Sequence, residues 1–394
     1  VARMAFEPGR GRTAVPVRSA LAGIAVAATA VTAAVVFGSS LLGLVGTPHR
    51  YGQDWREYLD LRFGGIHGGL LERVVSAQPG VTGYAIGDYG QVRVNGAAVS
   101  AIGLTPVRGR GYLTMLAGRP PASPGEIVLG ARTLRALDLH VGQTAQVAAN
   151  GYGEASAPRP MRVVGEAVFA SLGRRGSFLG TDLGNGAAVV PSVLSVPNPA
   201  SGCVRHSGTC YNFALLRYRR GTSLAAASSR LSATVARMGC PPGSCGVGLD
   251  QRPGDIQSYT GVRDTPLALG TVLALLGAST LGYVLFTSIR RRRRDLAILK
   301  TLGLRRPQVL AVVEWQAATL TAASLAAGLP LGVIAGRWSW SLFADSIGVA
   351  GDPAVPVPVI LLVAAGGLLL AGALAAVPGR AAARVRPAAV LRTE

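Results

Sequence analysis

Four stretches of this chain carry almost no charge, and each is long enough to cross a lipid bilayer as a helix. They run from Ser19 to Pro48, Thr265 to Ile289, Pro307 to Gly336 and Pro353 to Gly379, and the only Asp, Glu, Lys, Arg or His within them is Glu314. The hydrocarbon core of a bilayer takes about 20 consecutive apolar residues. Soluble proteins bury apolar helices too, but four uncharged runs of this length read as membrane spans. Only 15% of the 394 residues are charged, against about 25% in an average soluble domain. The expected fold class is an α-helical membrane protein with four transmembrane helices and a large α+β extracytoplasmic domain between the first and second.

A net charge of +20 could point to nucleic acid, but its placement argues otherwise. Residues 1–18 carry a net +3, residues 290–306 a net +7 and residues 380–394 a net +3, so three short segments beside the apolar runs hold 13 of the 20 charges. The loop 337–352 has only Arg337 against Asp345 and Asp352. By the positive-inside rule, both termini and the 290–306 segment are cytoplasmic. The expected partner is the lipid membrane, with no nucleic acid, and the expected location is the cytoplasmic (inner) membrane, multi-pass. The chain then divides into a cytoplasmic segment 1–18, transmembrane helix 19–48, an outer domain 49–264, transmembrane helix 265–289, a cytoplasmic segment 290–306, transmembrane helix 307–336, an outer loop 337–352, transmembrane helix 353–379 and a cytoplasmic tail 380–394. The first run is longer than the apolar core of a signal peptide and ends without a small-x-small cleavage site, so it is expected to be retained.

The outer segment is long enough for a folded domain with its own core. Gln91 to Val99 alternates and is broken by Asn95-Gly96, a strong hairpin signal. Glu126 to Leu129, Ala145 to Ala149, Met161 to Phe169 and Tyr211 to Tyr218 read as strands, with helical turns at Thr133 to Leu137 and an amphipathic helix over Leu224 to Met238. All four cysteines, Cys203, Cys210, Cys240 and Cys245, fall here, where disulfides are permitted. Of the three pairings, Cys203–Cys210 and Cys240–Cys245 close the shortest loops. A metal reading of Cys203, His206 and Cys210 supplies only three ligands, and no metal site is expected.

No catalytic signature is present. Lys300-Thr301 follows Leu299 rather than the glycine a phosphate-cradling loop needs, and the motifs of serine hydrolases, zinc proteases and β-lactamases are missing. His49, His67, His140 and His206 are scattered. The residues therefore give no positive evidence for a catalytic role, and the chain itself is expected neither to bind nor to hydrolyse ATP.

The cytoplasmic segment is unusual in its order. Arg290 to Arg294 follow directly on the second span and can anchor it at lipid headgroups. Beyond them Leu296, Leu299 and Leu302 recur at helical spacing, and Gly303 suits a helix end. An apolar stripe there calls for a protein surface. In the third span Gly328, Gly332 and Gly336 form a ridge-free face for close helix approach. Glu314 lies near the cytoplasmic end, either a mark of a proton or substrate path or a partner of the neighbouring arginines.

Arg294-Asp295-Leu296-Ala297-Ile298-Leu299-Lys300-Thr301-Leu302-Gly303-Leu304, with Gln308, Glu314 and the glycines of the third span, resembles the FtsX/MacB-type permeases of ABC transporters. The tail is similar too, in Val377-Pro378-Gly379-Arg380, Arg384, Pro387-Ala388 and Leu391-Arg392. In the outer segment, Gly118-Arg119-Pro120, Pro124-Gly125-Glu126-Ile127-Val128-Leu129-Gly130 and Leu137-Asp138-Leu139-His140-Val141-Gly142 are similar to the family's periplasmic core domain. Asp138 stands where the family commonly has glycine and is read as surface variation. The resemblance implies a permease that binds no cofactor itself and works with a cytoplasmic ABC ATPase dimer, which would hold ATP and Mg. It implies assembly with a second permease half or a second copy. It also implies that the 290–306 segment, through Arg294, Asp295, Leu296, Leu299, Lys300, Leu302, Gly303 and Arg305, couples the ATPase to mechanical motion of the outer domain. The start of the chain is similar to the middle of longer duplicated permeases, so a C-terminal half of one is expected. The implied function is export or extraction of a lipid, lipoprotein or amphipathic compound. The alternative is a signalling subunit that activates an outer partner such as a cell-wall hydrolase.

Overall fold

The computed structural model describes residues 17–61, 66–109, 111–150, 156–172, 180–194, 210–238, 245–249, 254–261, 265–291 and 306–383. The chain divides into two units: residues 1–43, 261–341 and 352–394 form a helical one, and residues 44–260 with 342–351 form a mixed α and β one. In chain order the elements are helix α1 (Val17–Gly46), strands β1 (Glu57–Asp60) and β2 (Ile66–His67), and helix α2 (Gly68–Ser76). Strands β3 (Val81–Val94), β4 (Ala97–Arg108), β5 (Thr114–Gly118) and β6 (Glu126–Gly130) lead to helix α3 (Ala131–Ala136). Next come β7 (Thr144–Asn150), β8 (Arg159–Val168), β9 (Ala187–Val189), the short helix α4 (Pro191–Leu194), β10 (Cys210–Tyr211) and β11 (Phe213–Tyr218). Helix α5 (Leu224–Arg237), β12 (Gly246–Leu249) and α6 (Gly254–Gly261) complete the outer segment, and α7 (Thr265–Arg291), α8 (Arg306–Ile347) and α9 (Val357–Ala383) follow.

In the mixed unit all the described strands but β2 and β10 form one large sheet, ordered β12-β1-β11-β3-β4-β9-β6-β8-β5, with β7 bridging β3 and β8. Most neighbours are antiparallel, but β4 pairs with β9, and β6 with β8, in parallel. Hairpin β3–β4 turns at Asn95 and Gly96, both left-handed with φ of 49° and 87°, the arrangement an Asn-Gly pair favours because the turn then matches the strand twist. The alternation of side chains along a strand puts apolar groups on both faces. On β6, Ile127 and Leu129 join a core with Val92, Met161 and Val163, while Val128 faces a second core with Trp55, Phe169 and Phe213. On β11, Ala214 and Leu216 meet Leu71 and Val75 of α2 and Leu231 and Val235 of α5. The two helices thus cover one stretch of sheet.

The segment read as a single strand over Tyr211 to Tyr218 is two. β10 pairs with β2 in a separate small sheet, and β11 joins the large one. Between them Asn212 uses its side chain as a strand would use its backbone: its Oδ1 accepts from the Tyr89 N–H at 3.0 Å and its Nδ2 donates to the Tyr89 carbonyl at 3.2 Å.

Among the described residues, three stretches are long and apolar enough to cross a membrane: Leu21–Gly46, Leu310–Ile347 and Val357–Ala376. The described apolar run in α7 is shorter, Ala268–Tyr283. The loop expected at 337–352 is helical as far as Ile347. Arg337 marks a change in polarity, but no residue there breaks a helix until Gly348, whose φ of 73° suits glycine at a helix end.

Candidate functional site

Helix α8 is 42 residues long, or roughly 63 Å at 1.5 Å per residue. Its glycine face lies against α1. A methyl group added at Gly328 would sit 2.7 Å from Ala28 Cβ, at Gly332 2.5 Å from Thr32 Cβ, and at Gly336 2.8 Å from Val36 Cβ. The backbones are equally close, since the same added carbons would meet the carbonyl oxygens of Ala25, Thr29 and Ala33 at 2.8, 2.7 and 3.0 Å. Such contact is what a small residue at every fourth position allows. Polar links reinforce it: Thr29 Oγ1 donates to the Gly328 carbonyl at 3.3 Å and Ser324 Oγ to the Leu21 carbonyl at 3.2 Å. Phe37 meets Trp340 edge to face at 5.8 Å. Helix α1 also takes α7, where an added carbon at Gly277 would stand 2.7 Å from Ala27 Cβ. The segment before α9 is tied to α1 by the Ala354 N–H, which donates to Ser40 Oγ at 2.9 Å.

The other end of α8 belongs to the mixed unit. The N–H groups of Gly348 and Val349 both reach the Ala344 carbonyl, at 2.8 and 3.1 Å, closing the helix. From α3, Arg132 Nε donates to the Ser346 carbonyl at 3.0 Å, and Arg135 Nη2 donates to the Asp345 carbonyl. These guanidiniums meet carbonyls left without intrahelical donors at the negative end of the helix dipole. Gly348 lies against Gly184, where an added carbon would approach Gly184 Cα to 2.4 Å. The Gly184 carbonyl in turn accepts from the Arg132 and Thr133 N–H groups at 2.8 and 3.2 Å. Glu166 on β8 has its carboxyl pushed up, chiefly by burial and further by the Asp345 charge, with Arg135 opposing. Sequence reading missed this anchor. Its one local signal is Gly348 directly after the last helical apolar residue, Ile347.

The residues expected for ATPase coupling, Arg294, Asp295, Leu296, Leu299, Lys300, Leu302, Gly303 and Arg305, lie outside the described residues. Glu314 is described and exposed on the surface of α8 beside Trp315. Cys210 and Cys245 are both disulfide-bonded, which removes Cys210 from the metal reading; Cys203 and Cys240 lie outside the described residues. The Arg119 and Glu126 motif residues form an ion pair. Arg119 and the Ala122 N–H hold the Glu126 carboxyl down at about 2, so this motif closes a loop and supplies no reactive group.

Asp138 is exposed, as expected of surface variation, and its backbone limits which residues can stand there. Its φ is 52°, at the residue that follows the C-cap Leu137 of α3. The Asp138 N–H reaches the Arg135 carbonyl at 3.3 Å and the Leu139 N–H the Leu134 carbonyl at 2.9 Å. That is the helix stop in which glycine is favoured and Asp tolerated.

Long apolar helices, with a large α+β domain between the first and the rest, define a helical membrane protein with one large domain outside the bilayer. Residues 19–234 match the MacB-like periplasmic core domain and residues 267–387 the FtsX-like permease C-terminal domain. The chain belongs to the FtsX/MacB-type permease family of ABC transporters, whose members work with ABC ATPases in the membrane. It is similar to the periplasmic region of MacB from Actinobacillus actinomycetemcomitans, at 14% identity over 55% of this chain and 97% of that one, with a TM-score of 0.33. It is also similar to the extracellular domain of the ABC-type transporter YknZ from Gram-positive bacteria, at 10% identity over 50% of this chain and 100% of that one, with a TM-score of 0.30. No curated protein matches the chain.

Proposed function

We propose that the chain is a non-hydrolytic permease subunit that turns ATP hydrolysis by a separate ATPase into movement of its outer domain, exporting or extracting a lipid, lipoprotein or amphipathic compound. The observation that carries this reading is α8: one unbroken helix, glycine-packed on α1, with its outer end held by Arg132 and Arg135. A continuous helix fastened in this way can transmit displacement, and Pro330 within it is a point at which it can bend.

In this reading α7 is the fourth span, both termini and the 290–306 segment are cytoplasmic, and the membrane is the inner one. ATP and Mg sit on the ATPase dimer, and the permease acts with a second half or a second copy. The stripe Leu296, Leu299 and Leu302 docks on the ATPase, where fully burying one leucine stabilises by about 1.5–3 kcal/mol. Arg294, Lys300 and Arg305 around it steer an acidic rim and set register.

The test uses the permease–ATPase complex in nanodiscs, read by hydrogen–deuterium exchange with and without ATP. Exchange around α3 and residues 180–186 should respond to ATP in the wild type. In Arg132→Ala/Arg135→Ala, hydrolysis should persist while that response fades. An undiminished response in the double variant would refute transmission through α8. Stimulation of hydrolysis by an added amphiphile separates transport from the signalling alternative.

A further inference from the structure

Helices α2 and α5 cover the same stretch of sheet, and between them lies a groove of about 550 Å³ lined by Arg73, Val74, Ala77, Gln78, Pro79, Arg230, Ala233, Thr234 and Arg237. The size falls within the range of small-molecule sites. Among the described residues, three guanidiniums line it and no carboxylate does. Like charges brought to one cavity without a counter-charge repel one another, so the groove favours an anion.

Arg73 and Arg237 stand in the last turns of their helices, where a cation is stabilised by the helix dipole whether or not a ligand exists. That accounts for their placement only in part. The carbonyls at the end of α2 have other donors: the Ala77 N–H reaches the Arg73 carbonyl at 3.2 Å, and Gln78 Nε2 the Val74 carbonyl at 3.3 Å. It does not account for Arg230, which lies in the middle of α5. Glu57 on β1 lies within electrostatic reach of Arg230, but its carboxyl is raised by burial and accepts the Tyr218 hydroxyl. A carboxylate disfavoured by burial is a weak counter-charge. Glu72 on α2 is engaged elsewhere, accepting the Tyr84 hydroxyl at 3.3 Å. Arg73, Arg230 and Arg237 are exposed and, among the described residues, take part in no ion pair.

We propose that this groove binds the phosphate of an anionic glycerophospholipid headgroup, with Arg73, Arg230 and Arg237 as its ligands. A guanidinium presents paired N–H donors that match two oxygens of a phosphate. Val74, Ala77, Pro79 and Ala233 supply apolar wall beside the cations, which suits the glycerol backbone and first methylenes of a lipid and offers nothing to a bare ion. The site rests on the outer domain's own geometry, and its test uses neither ATPase nor ATP, so its failure would leave the coupling proposal standing.

The experiment is calorimetric titration of the full chain, in nanodiscs of zwitterionic lipid, with soluble dihexanoyl phosphatidylglycerol. Inorganic phosphate and dihexanoyl phosphatidylcholine serve as the comparison arms. The proposal expects saturable binding of the phosphatidylglycerol, at least tenfold weaker in Arg73→Gln/Arg230→Gln and intermediate in each single variant. Both side chains are exposed, and an unchanged melting temperature would show that the variants fold. Equal affinity in wild type and double variant would overturn it, as would no binding. Phosphate binding as tightly as the lipid would show a free-anion site and overturn the headgroup assignment, and equal binding of the phosphatidylcholine would remove the arginines' role.

Discussion

Replacing Gly332 with alanine puts a methyl carbon 2.5 Å from Thr32 Cβ and 2.7 Å from the Thr29 carbonyl oxygen. Carbon atoms in contact sit about 3.5–4.0 Å apart, so α1 and α8 must separate locally by about 1 Å. The obstacle is backbone as well as side chain, and a helix carbonyl cannot swing aside as a flexible side chain can. Overpacking typically costs about 1–3 kcal/mol, and the separation also weakens the 3.3 Å bond from Thr29 to the Gly328 carbonyl. Against this, alanine in a helix gains up to about 1 kcal/mol over glycine. The net loss should be about 1–2 kcal/mol for Gly332→Ala and larger for Gly332→Leu. At about 2–4 °C per kcal/mol for a unit of 150–250 residues, the melting temperature of the detergent-solubilised chain should fall by several degrees. Gly282 and Gly372 have nothing within 4 Å of an added carbon, so alanine there should leave stability equal or higher. A Gly332→Ala protein that melts at or above the wild-type temperature would refute close packing of α8 on α1.

Three further outcomes are expected. Burial raises the Asp88 carboxyl from 3.8 to about 7, so the folded chain holds that proton more tightly than the unfolded one. Stability should therefore decline as pH rises from about 4 to about 7 and level off above; Asp88→Asn should flatten that decline in a melting series, and an unchanged slope would exclude Asp88 as its source. Asp138→Gly should leave stability equal or higher, while Asp138→Val at a φ of 52° should cost about 1–2 kcal/mol, and equal melting of the two would contradict the helix-stop role. Mass spectrometry of unreduced peptides should give Cys203–Cys210 and Cys240–Cys245, each contributing about 2 kcal/mol, and crossed pairs would contradict the assignment.

Much of this was legible because the physics is local. Asn95-Gly96 announces its hairpin through backbone preference alone, and uncharged runs announce apolar helices through composition. The glycine ridge of α8 could be read as a packing face, but its partner could not. Helix α1 is so rich in alanine that its contacting residues, Ala25, Ala28, Thr29, Thr32 and Ala33, do not differ from the rest of its surface. The break at Asn212 was hidden because a side chain substitutes for a backbone pair with Tyr89, distant in sequence. Asp138 is on the surface and tolerated there, as expected, but the backbone demand behind it was not legible: exposure describes a side chain, whereas the requirement there is on φ. The Arg132 and Arg135 anchor joins residues more than 200 positions apart, and nothing in either segment names the other.

We propose that this permease is driven from outside its own chain, through the segment between α7 and α8. The most direct test is a pull-down of the ATPase by the full-length permease carrying Leu299→Asp and Leu302→Asp, with a topology reporter on the outer domain as the insertion control. The double variant should insert normally and lose the ATPase. Undiminished ATPase binding by a correctly inserted double variant would contradict it and would place the leucine stripe against lipid instead.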